Sequence, residues 1–373
     1  MNDAHKHRPP GHPRGHDAPK DASYGGVRPD GQLADGFSHN FKPLEPMDVT
    51  KAGTFSDMLS AMSKTAFGGR NLGEAADVLY EMVTDPDCMV VGTFSGAMTI
   101  AKQGLLITEM IDQGMLNAIV STGALMCHGV IEQTGHMHFR HDPAWDDEKL
   151  YEAGYCRVYD TLELEKSLDE AAEIVNQALA SIKFSHPVGS HELLSSIGGY
   201  LRQHFQGRGI LQSASAKGVP VYVPALHDSE LGLDVYSFNA MSPHRGTTPI
   251  QFDPMRELQD YLDRCLKAKR LGIFTIGGGV PRNWAQQVGP LAELLHRRSG
   301  GKFGGMVRFT YALRICPEPV HWGGLSGCTY SEGVSWGKFI PPEEGGRFAE
   351  VHCDATIAWP ILVRGVLERM GRV

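Results

Sequence analysis

Leu271-Gly272-Ile273-Phe274-Thr275-Ile276-Gly277-Gly278-Gly279-Val280-Pro281 is the stretch that decides the fold. A β-rich apolar run ends in three glycines, and a proline follows where a helix can begin. Proline suits a first helical turn, because the N–H it lacks has no partner there anyway. The glycines let the backbone approach a ligand closely. Working outward, similar strand-like runs fall at 88–93, 118–122, 219–223, 306–310 and 350–353. Helical spacing of apolar residues falls at 55–66, 72–83, 168–182, 192–205, 254–269, 281–297 and 355–370. A further helix is expected to grow out of Ser95-Gly96-Ala97-Met98-Thr99 and reach Met110. Strands alternating with helices predict an α/β fold with a mostly parallel sheet covered on both faces. Right-handed crossovers then make it Rossmann-like and doubly wound.

The chain has 373 residues, enough for a large core, and 42 % of them are hydrophobic. Its formal net charge is −8 with no long basic run, which argues against nucleic acid as a partner. No run of about 18 apolar residues is present, so no membrane span is expected. The polar N-terminus carries no apolar signal segment. Seven dispersed cysteines without CxxC spacing fit small core residues in a reducing cytoplasm. Residues 1–40, rich in His, Pro, Gly and Asp, read as a disordered tail, and 41–373 as one catalytic domain. The tail histidines His5, His7, His12 and His16 are irregularly spaced, so no functional metal site is expected of them.

Ligands of open α/β sheets sit beyond the carboxyl ends of the strands. Small and polar residues gather at those points: Ser95-Gly96, Ser121-Thr122-Gly123, Gly277-Gly278-Gly279 and Asp354-Ala355. Free N–H groups of the helix starts expected there favour phosphate. Asp354 could accept hydrogen bonds from ribose hydroxyls. The loop from Pro224 to Gly232 adds Asp228 and Glu230, and its ordinary reading is a helix start capped by Asp228 or Ser229. His128 follows the second glycine turn and should face the ligand cleft. His136, His138 and His141 invite a zinc reading, but without carboxylate spacing a polar loop and no metal are expected.

Gly333-Val334-Ser335-Trp336-Gly337-Lys338 sets one lysine against an indole and two glycines. An apolar wall disfavours an ammonium and so lowers its pKa. A neutral lysine attacks an electrophilic carbon and holds it as an imine. On this hexapeptide alone, a surface lysine after a buried Trp is the competing reading.

Taken in order, Pro224 to Gly232, Gly277-Gly278-Gly279-Val280, Gly324-Leu325-Ser326-Gly327, Ser335-Trp336-Gly337-Lys338 and Asp354-Ala355 resemble deoxyhypusine synthase and its relatives. The resemblance runs from about residue 46 to the C-terminus, and the bacterial deoxyhypusine synthase-like and homospermidine synthase branch is similar. It implies an NAD-dependent transferase, usually a homotetramer with sites at dimer interfaces. In that family NAD takes a hydride from spermidine, the aminobutyl group passes to a lysine as an imine, and an acceptor amine then receives it. By motif position Lys338 is that lysine. The resemblance assigns NAD to Ser95, Gly96, Ala97, Met98, Thr99, Thr122, Gly123, Ala124, Asp228, Thr310, Asp354 and Ala355. It assigns substrate to His128, Asn283, Ser326, Glu332 and Trp336.

Several positions depart from the eukaryotic pattern. Acidic residues that grip the polyamine fall on Leu233 and Leu325, the active-site histidine falls on Asn283, and acids after the second strand become Cys127 and His128. An ammonium without a partner in an apolar pocket is costly, so spermidine needs Glu230, Asp234 or Glu332 as a substitute. A longer segment, 312–322, precedes the lysine motif. Three functions follow: aminobutyl transfer from a polyamine to a protein lysine or free diamine; homospermidine synthesis or transfer from a less cationic amine; and an NAD-binding regulatory module without turnover.

Overall fold

The structure, a computed structural model, describes residues 33–373. The tail histidines and most of the expected tail lie outside the described residues. The chain divides into two units, Met1–Leu44 and Glu45–Val373. The described part of the first contributes one short 3-10 turn, Phe37–His39.

The second unit is built on nine strands: β1 Cys88–Phe94, β2 Ala118–Ser121, β3 Phe139–Arg140, β4 Tyr155–Val158, β5 Thr161–Leu164, β6 Val221–Tyr222, β7 Arg270–Ile276, β8 Tyr311–Ile315 and β9 Arg347–Val351. Six form a parallel sheet in the order β6-β2-β1-β7-β8-β9. The order reverses between β1 and β7, the switch point at which doubly wound sheets bind ligands. β3, β5 and β4 form a separate antiparallel sheet. The expected Rossmann-like α/β class is what the structure shows.

Parallel strands covered on both faces are apolar throughout rather than alternating. β1 and β7 accordingly bury every residue after their first one or two. One face of the sheet meets the helices Phe67–Thr84, Gly104–Asp112 and Ala355–Arg369, with Trp359 stacked 5.6 Å from Phe94. The other core cluster joins Met255–Lys267, Gly279–Gln286 and Val288–Arg298, where Tyr222, Tyr261 and Trp284 meet ring to ring. The one polar pair between the central strands, Thr93 and Thr275, is satisfied by a 2.8 Å bond between their hydroxyls.

Four expectations are corrected. The strand expected at 306–310 is β8, Tyr311–Ile315, which pairs with β7 and β9 and buries Arg314 against Glu350. Thr310 therefore stands at the amino end of β8, where its N–H reaches Leu271 O at 2.8 Å. The expected extra segment 312–322 is mostly this strand and the turn after it. The helix expected at 281–297 is two, Gly279–Gln286 and Val288–Arg298, broken ahead of Pro290. Proline cannot donate to the preceding turn, and its ring crowds that turn. The helix expected from Thr99 begins instead at Gly104, after a turn in which Lys102 holds φ 61°.

All seven cysteines are free thiols. No helix among the described residues is long and apolar enough to cross a membrane.

Glu257 shows what the core tolerates. It is fully buried and receives a hydrogen bond from Ser190, whose oxygen accepts from Val223 N at 2.7 Å. Burial pushes its carboxyl up to about 7, against the pull of Ser190. The folded chain thus keeps a proton that the unfolded chain releases near 4.5. Stability from this group is full below that value and is lost as pH rises through about 7. Glu257→Gln should flatten the pH dependence and stabilise the fold above pH 8 by on the order of 3 kcal/mol. Urea melts of both proteins from pH 5 to 9 check this, and identical pH profiles would refute it.

Candidate active site

At the carboxyl ends of β1, β2 and β7 the loops are tied together by hydrogen bonds. Ser95 Oγ donates to Ile276 O at 3.1 Å and accepts from Gly278 N at 3.0 Å. Thr122 Oγ1 donates to Gly96 O at 2.6 Å and caps the helix Gly123–Gln133 through Leu125 N. Gly277 sits at φ 76°, and a Cβ there would run into Ser95 Oγ. A Cβ on Gly123 would strike Ser229. The structure therefore brings Ser95, Gly96, Thr122, Gly123 and the loop carrying Asp228 to one crevice at the switch point. Ser229, rather than Asp228, is the helix cap, and Asp228 is exposed beside it.

Other residues assigned to NAD fall differently. Thr99 is buried and donates to Leu125 O, so it ties the first loop to the helix behind. Ala97, Met98 and Ala124 are half-buried nearby. Asp354 is exposed and caps the last helix, its Oδ1 accepting from Thr356 N and Oγ1, both at 2.7 Å. With Ala355 it lies beyond β9, three strands from β1, a spacing of about 14 Å. Thr310 lies at the amino ends of the strands, the opposite end of the sheet from the crevice.

A cavity of about 320 Å³ lies between the helix leaving β7 and the segment following β8. Lys338, Asn283, Arg282, Glu332, Trp336 and Leu325 line it. Backbone bonds fix Lys338: its N–H reaches Gly333 O at 3.1 Å, and its carbonyl accepts from Phe309 N at 2.9 Å. Gly337, at φ 69°, makes the turn that delivers it. Phe339 next along is buried among Phe309, Tyr330 and Phe348. Lys338 Nζ donates to Asn283 Oδ1 at 3.4 Å and stands 6.0 Å from the Trp336 ring centre. Trp336 is 65 % exposed, so it forms a rim and not the enclosing wall expected of it. Burial pushes the Lys338 ammonium below the ordinary lysine value; Cys328 and Glu332 oppose this, and Arg282 adds to it.

Two arginines that sequence reading missed hold the pocket's far wall. Arg282 is buried over the Tyr330 ring at 5.0 Å and donates to Cys328 O at 2.8 Å. Arg314 donates to Ser326 O and Cys328 O and pairs with Glu350 at 2.5 Å. Glu350 also accepts from Tyr330 N at 2.8 Å, the start of the short helix carrying Glu332. Arg282 stood in plain view after Gly277-Gly278-Gly279-Val280-Pro281, but nothing in the spacing marked it as buried. Ser326 joins the two halves, because its hydroxyl accepts from Gly279 N at 3.0 Å.

His128 does not line this cavity. It is buried in the helix Gly123–Gln133, with Nδ1 2.6 Å from Glu163 Oε2 on β5. His138 approaches the same carboxylate at 3.2 Å, while His136 and His141 turn to Glu170 and to Trp145 O. Burial pushes the Glu163 carboxyl up, but the two imidazoles more than offset this and hold it at about 2. Glu230 and Asp234, which could have replaced missing acids, do not line this cavity; their charges act on the buried Cys127 thiol. Burial and Glu230 push Asp234 up to about 6.

The fold and site thus define a doubly wound α/β protein with a half-buried lysine next to its switch-point crevice. A family model described as deoxyhypusine synthase matches residues 57–366. A Methanosarcina acetivorans protein named "Probable deoxyhypusine synthase 2" is 33 % identical over 337 residues, covering 89 % of this chain and 91 % of the relative. A deoxyhypusine synthase-like protein of Chlorobaculum parvum is 30 % identical over 326 residues, with 86 % and 88 % covered. A crystal structure of a deoxyhypusine synthase candidate from Entamoeba histolytica aligns at TM-score 0.54 and 14 % identity, covering 86 % of this chain and 96 % of that one. That last match speaks to the fold alone. The chain belongs to the deoxyhypusine synthase family.

The depressed Lys338 ammonium has a direct consequence. Below its pKa, each unit of depression leaves about tenfold more free amine. Lys338 should react with an amine-selective acylating reagent at lower pH than exposed Lys217. Glu332→Gln removes a charge that favours the ammonium and should move the labelling midpoint lower still. Peptide mass spectrometry across pH 6–10 reads both, and a Lys338 profile matching Lys217 would refute the depression.

Proposed function

We propose that this protein is an NAD-dependent transferase that carries an aminobutyl or related alkyl-amine group as an imine on Lys338. The observation that carries the reading is the half-buried Lys338 amine, held by Asn283 and opening onto a cavity with Glu332 on its wall. NAD suits the switch-point crevice, where exposed Gly96 and Asp228 stand beside the starts of the helices Gly123–Gln133 and Gly279–Gln286. Ser95, Gly96, Thr122, Gly123 and Asp228 would hold it there. When bound, NAD would take a hydride from the carbon beside the donor nitrogen and return it at the end.

The remaining work falls to the chain's own side chains. Free Lys338 amine adds to the oxidised donor carbon, the C–N bond to the leaving amine breaks, and that amine departs with a proton. The carbon is then bound to Lys338 as an imine. An acceptor amine adds to the same carbon and frees Lys338. The returned hydride makes a new secondary amine, so electrons balance over the cycle. Asn283, unlike a histidine, cannot carry a proton, so it orients the Lys338 amine without titrating. Glu332 offers a carboxylate to an ammonium on donor or acceptor. Trp336 covers the rim and limits water.

A second reading concerns the donor. Glu332 is the only carboxylate on the cavity wall among the described residues, while Leu325 and Val320 add apolar surface. That lining favours an amine with one ammonium at this end over a fully cationic polyamine. Homospermidine synthesis, or transfer from a less cationic donor, belongs here. An NAD-binding module without turnover remains the non-enzymatic alternative. We also expect a homotetramer in the cytoplasm. One helix, Glu230–Arg245, presents Leu233, Tyr236 and Met241 to solvent, which suits contact between copies.

Borohydride added to protein, NAD and an amine should fix the carbon fragment on Lys338, seen as a mass increase on its peptide. Spermidine, putrescine and agmatine tested beside monoamines will rank the donors. Lys338→Ala should abolish trapping and turnover while leaving NAD binding intact. No adduct with any amine, on protein shown to bind NAD, would contradict the transferase reading and favour the binding module.

A further inference from the structure

His128, His138 and Glu163 come from three separate elements and meet in the interior. His128 lies on the helix Gly123–Gln133, His138 just before β3, and Glu163 on β5. One potential ligand atom from each lies within 4.8 Å of the other two. Their side chains are 9 %, 1 % and 3 % exposed. His128 Nδ1, His138 Nε2 and Glu163 Oε1 have no aligned hydrogen-bond partner. Close approach without hydrogen-bond alignment is what atoms sharing a central cation show, and an unsatisfied buried charge is otherwise costly. The neighbourhood is also anionic: Asp234, Glu230 and Glu163 all act on the buried Cys127 thiol beside His128.

We propose that His128, His138 and Glu163 form a binding site for one divalent first-row transition metal, with zinc as the probe. Two imidazoles and a carboxylate suit such an ion and leave a fourth position for water. Zinc–ligand bonds of about 2.0–2.1 Å at tetrahedral angles set ligand atoms about 3.3 Å apart. His138 Nε2 lies 3.2 Å from Glu163 Oε1 and His128 Nδ1 lies 2.6 Å from Oε2, close to that spacing. The metal would staple the β3-β5-β4 sheet to the helix that begins at Thr122, and so brace the crevice from behind. This site is distinct from the Lys338 cavity and does not depend on the reaction proposed there.

Lys102 is the built-in competitor. Its Nζ stands 3.3 Å from His138 Nδ1 and 2.7 Å from Glu132 Oε1. A metal on Nε2 requires Nδ1 to keep its proton, so Lys102 must release His138. Glu132, already 2.7 Å from Lys102 Nζ, would keep the displaced ammonium.

The test uses the full chain. Protein is stripped with a chelator, exposed to zinc, manganese, iron(II) or cobalt(II), and dialysed. Bound metal is counted by elemental analysis, and zinc affinity is measured by calorimetry. One equivalent should be retained and should raise the thermal midpoint. Replacing His5, His7, His12 and His16 by Ala should leave that equivalent in place. Glu163→Gln and His138→Ala should weaken zinc binding by roughly 100-fold. Should those variants fail to fold, Lys102→Ala decides, because it removes the competing ammonium and should tighten binding. Metal that follows the tail histidines, no stoichiometric metal at all, or a Lys102→Ala protein that binds zinc no better would each overturn the proposal.

Discussion

The pocket rests on one buried ion pair. Arg314 on β8 and Glu350 on β9 lie side by side in register, and their side chains meet at 2.5 Å with Arg314 almost wholly enclosed. Isolated, either charge would be intolerable there. Together they have spare hydrogen-bonding capacity, and it is used on the site. Arg314 spends its remaining N–H groups on the carbonyls of Ser326 and Cys328. Glu350 spends its second oxygen on the N–H of Tyr330. Both ends of the segment that walls the cavity are therefore referred back to two adjacent strands. The sheet itself positions Glu332 and, through the aromatic cluster around Phe339, Lys338.

This arrangement explains how a crevice and a lysine pocket can work as one site. Ser95 bonds to Gly278, Gly279 bonds to Ser326, and Ser326 is held by the arginines. A single chain of hydrogen bonds thus runs from the switch point to the wall of the Lys338 cavity. The electrostatics divide accordingly. The crevice offers small residues and helix starts, suited to phosphate and ribose. The cavity offers a desolvated amine, a carboxylate and carboxamides, suited to amine chemistry. Arg282 contributes twice, by bonding Cys328 O and by disfavouring the ammonium of Lys338.

Much of this was legible in the sequence because local rules carried it. The run into Gly277-Gly278-Gly279 and the glycine and threonine after β2 signal strand, turn and helix in a few residues. Lys338 announced itself through its neighbours. What escaped depends on pairing over long distances. Arg314 is tolerated inside β8 because Glu350, 36 residues on, pairs with it, and no local pattern reveals that pairing. Misplacing that strand also put Thr310 at the carboxyl end of a strand, whereas it precedes β8 at the amino end. His128 was read as facing the cleft because its helix starts there, but one helical face turns toward Glu163. That partner sits on a small antiparallel sheet whose short strands carry little pattern. Trp336 was expected to enclose the lysine, yet it stands exposed at the rim, while Arg282, Asn283 and Cys328 line the cavity beside the amine.

The central claim is that the crevice and the Lys338 cavity serve one bound dinucleotide and one reacting carbon. A crystal structure of the protein with NAD tests it most directly. The account predicts the phosphates at the glycine turns after β1, β2 and β7, with the nicotinamide ring facing a Lys338 amine across the cavity. NAD bound away from those turns, or a nicotinamide ring with no Lys338 within reach, would contradict it.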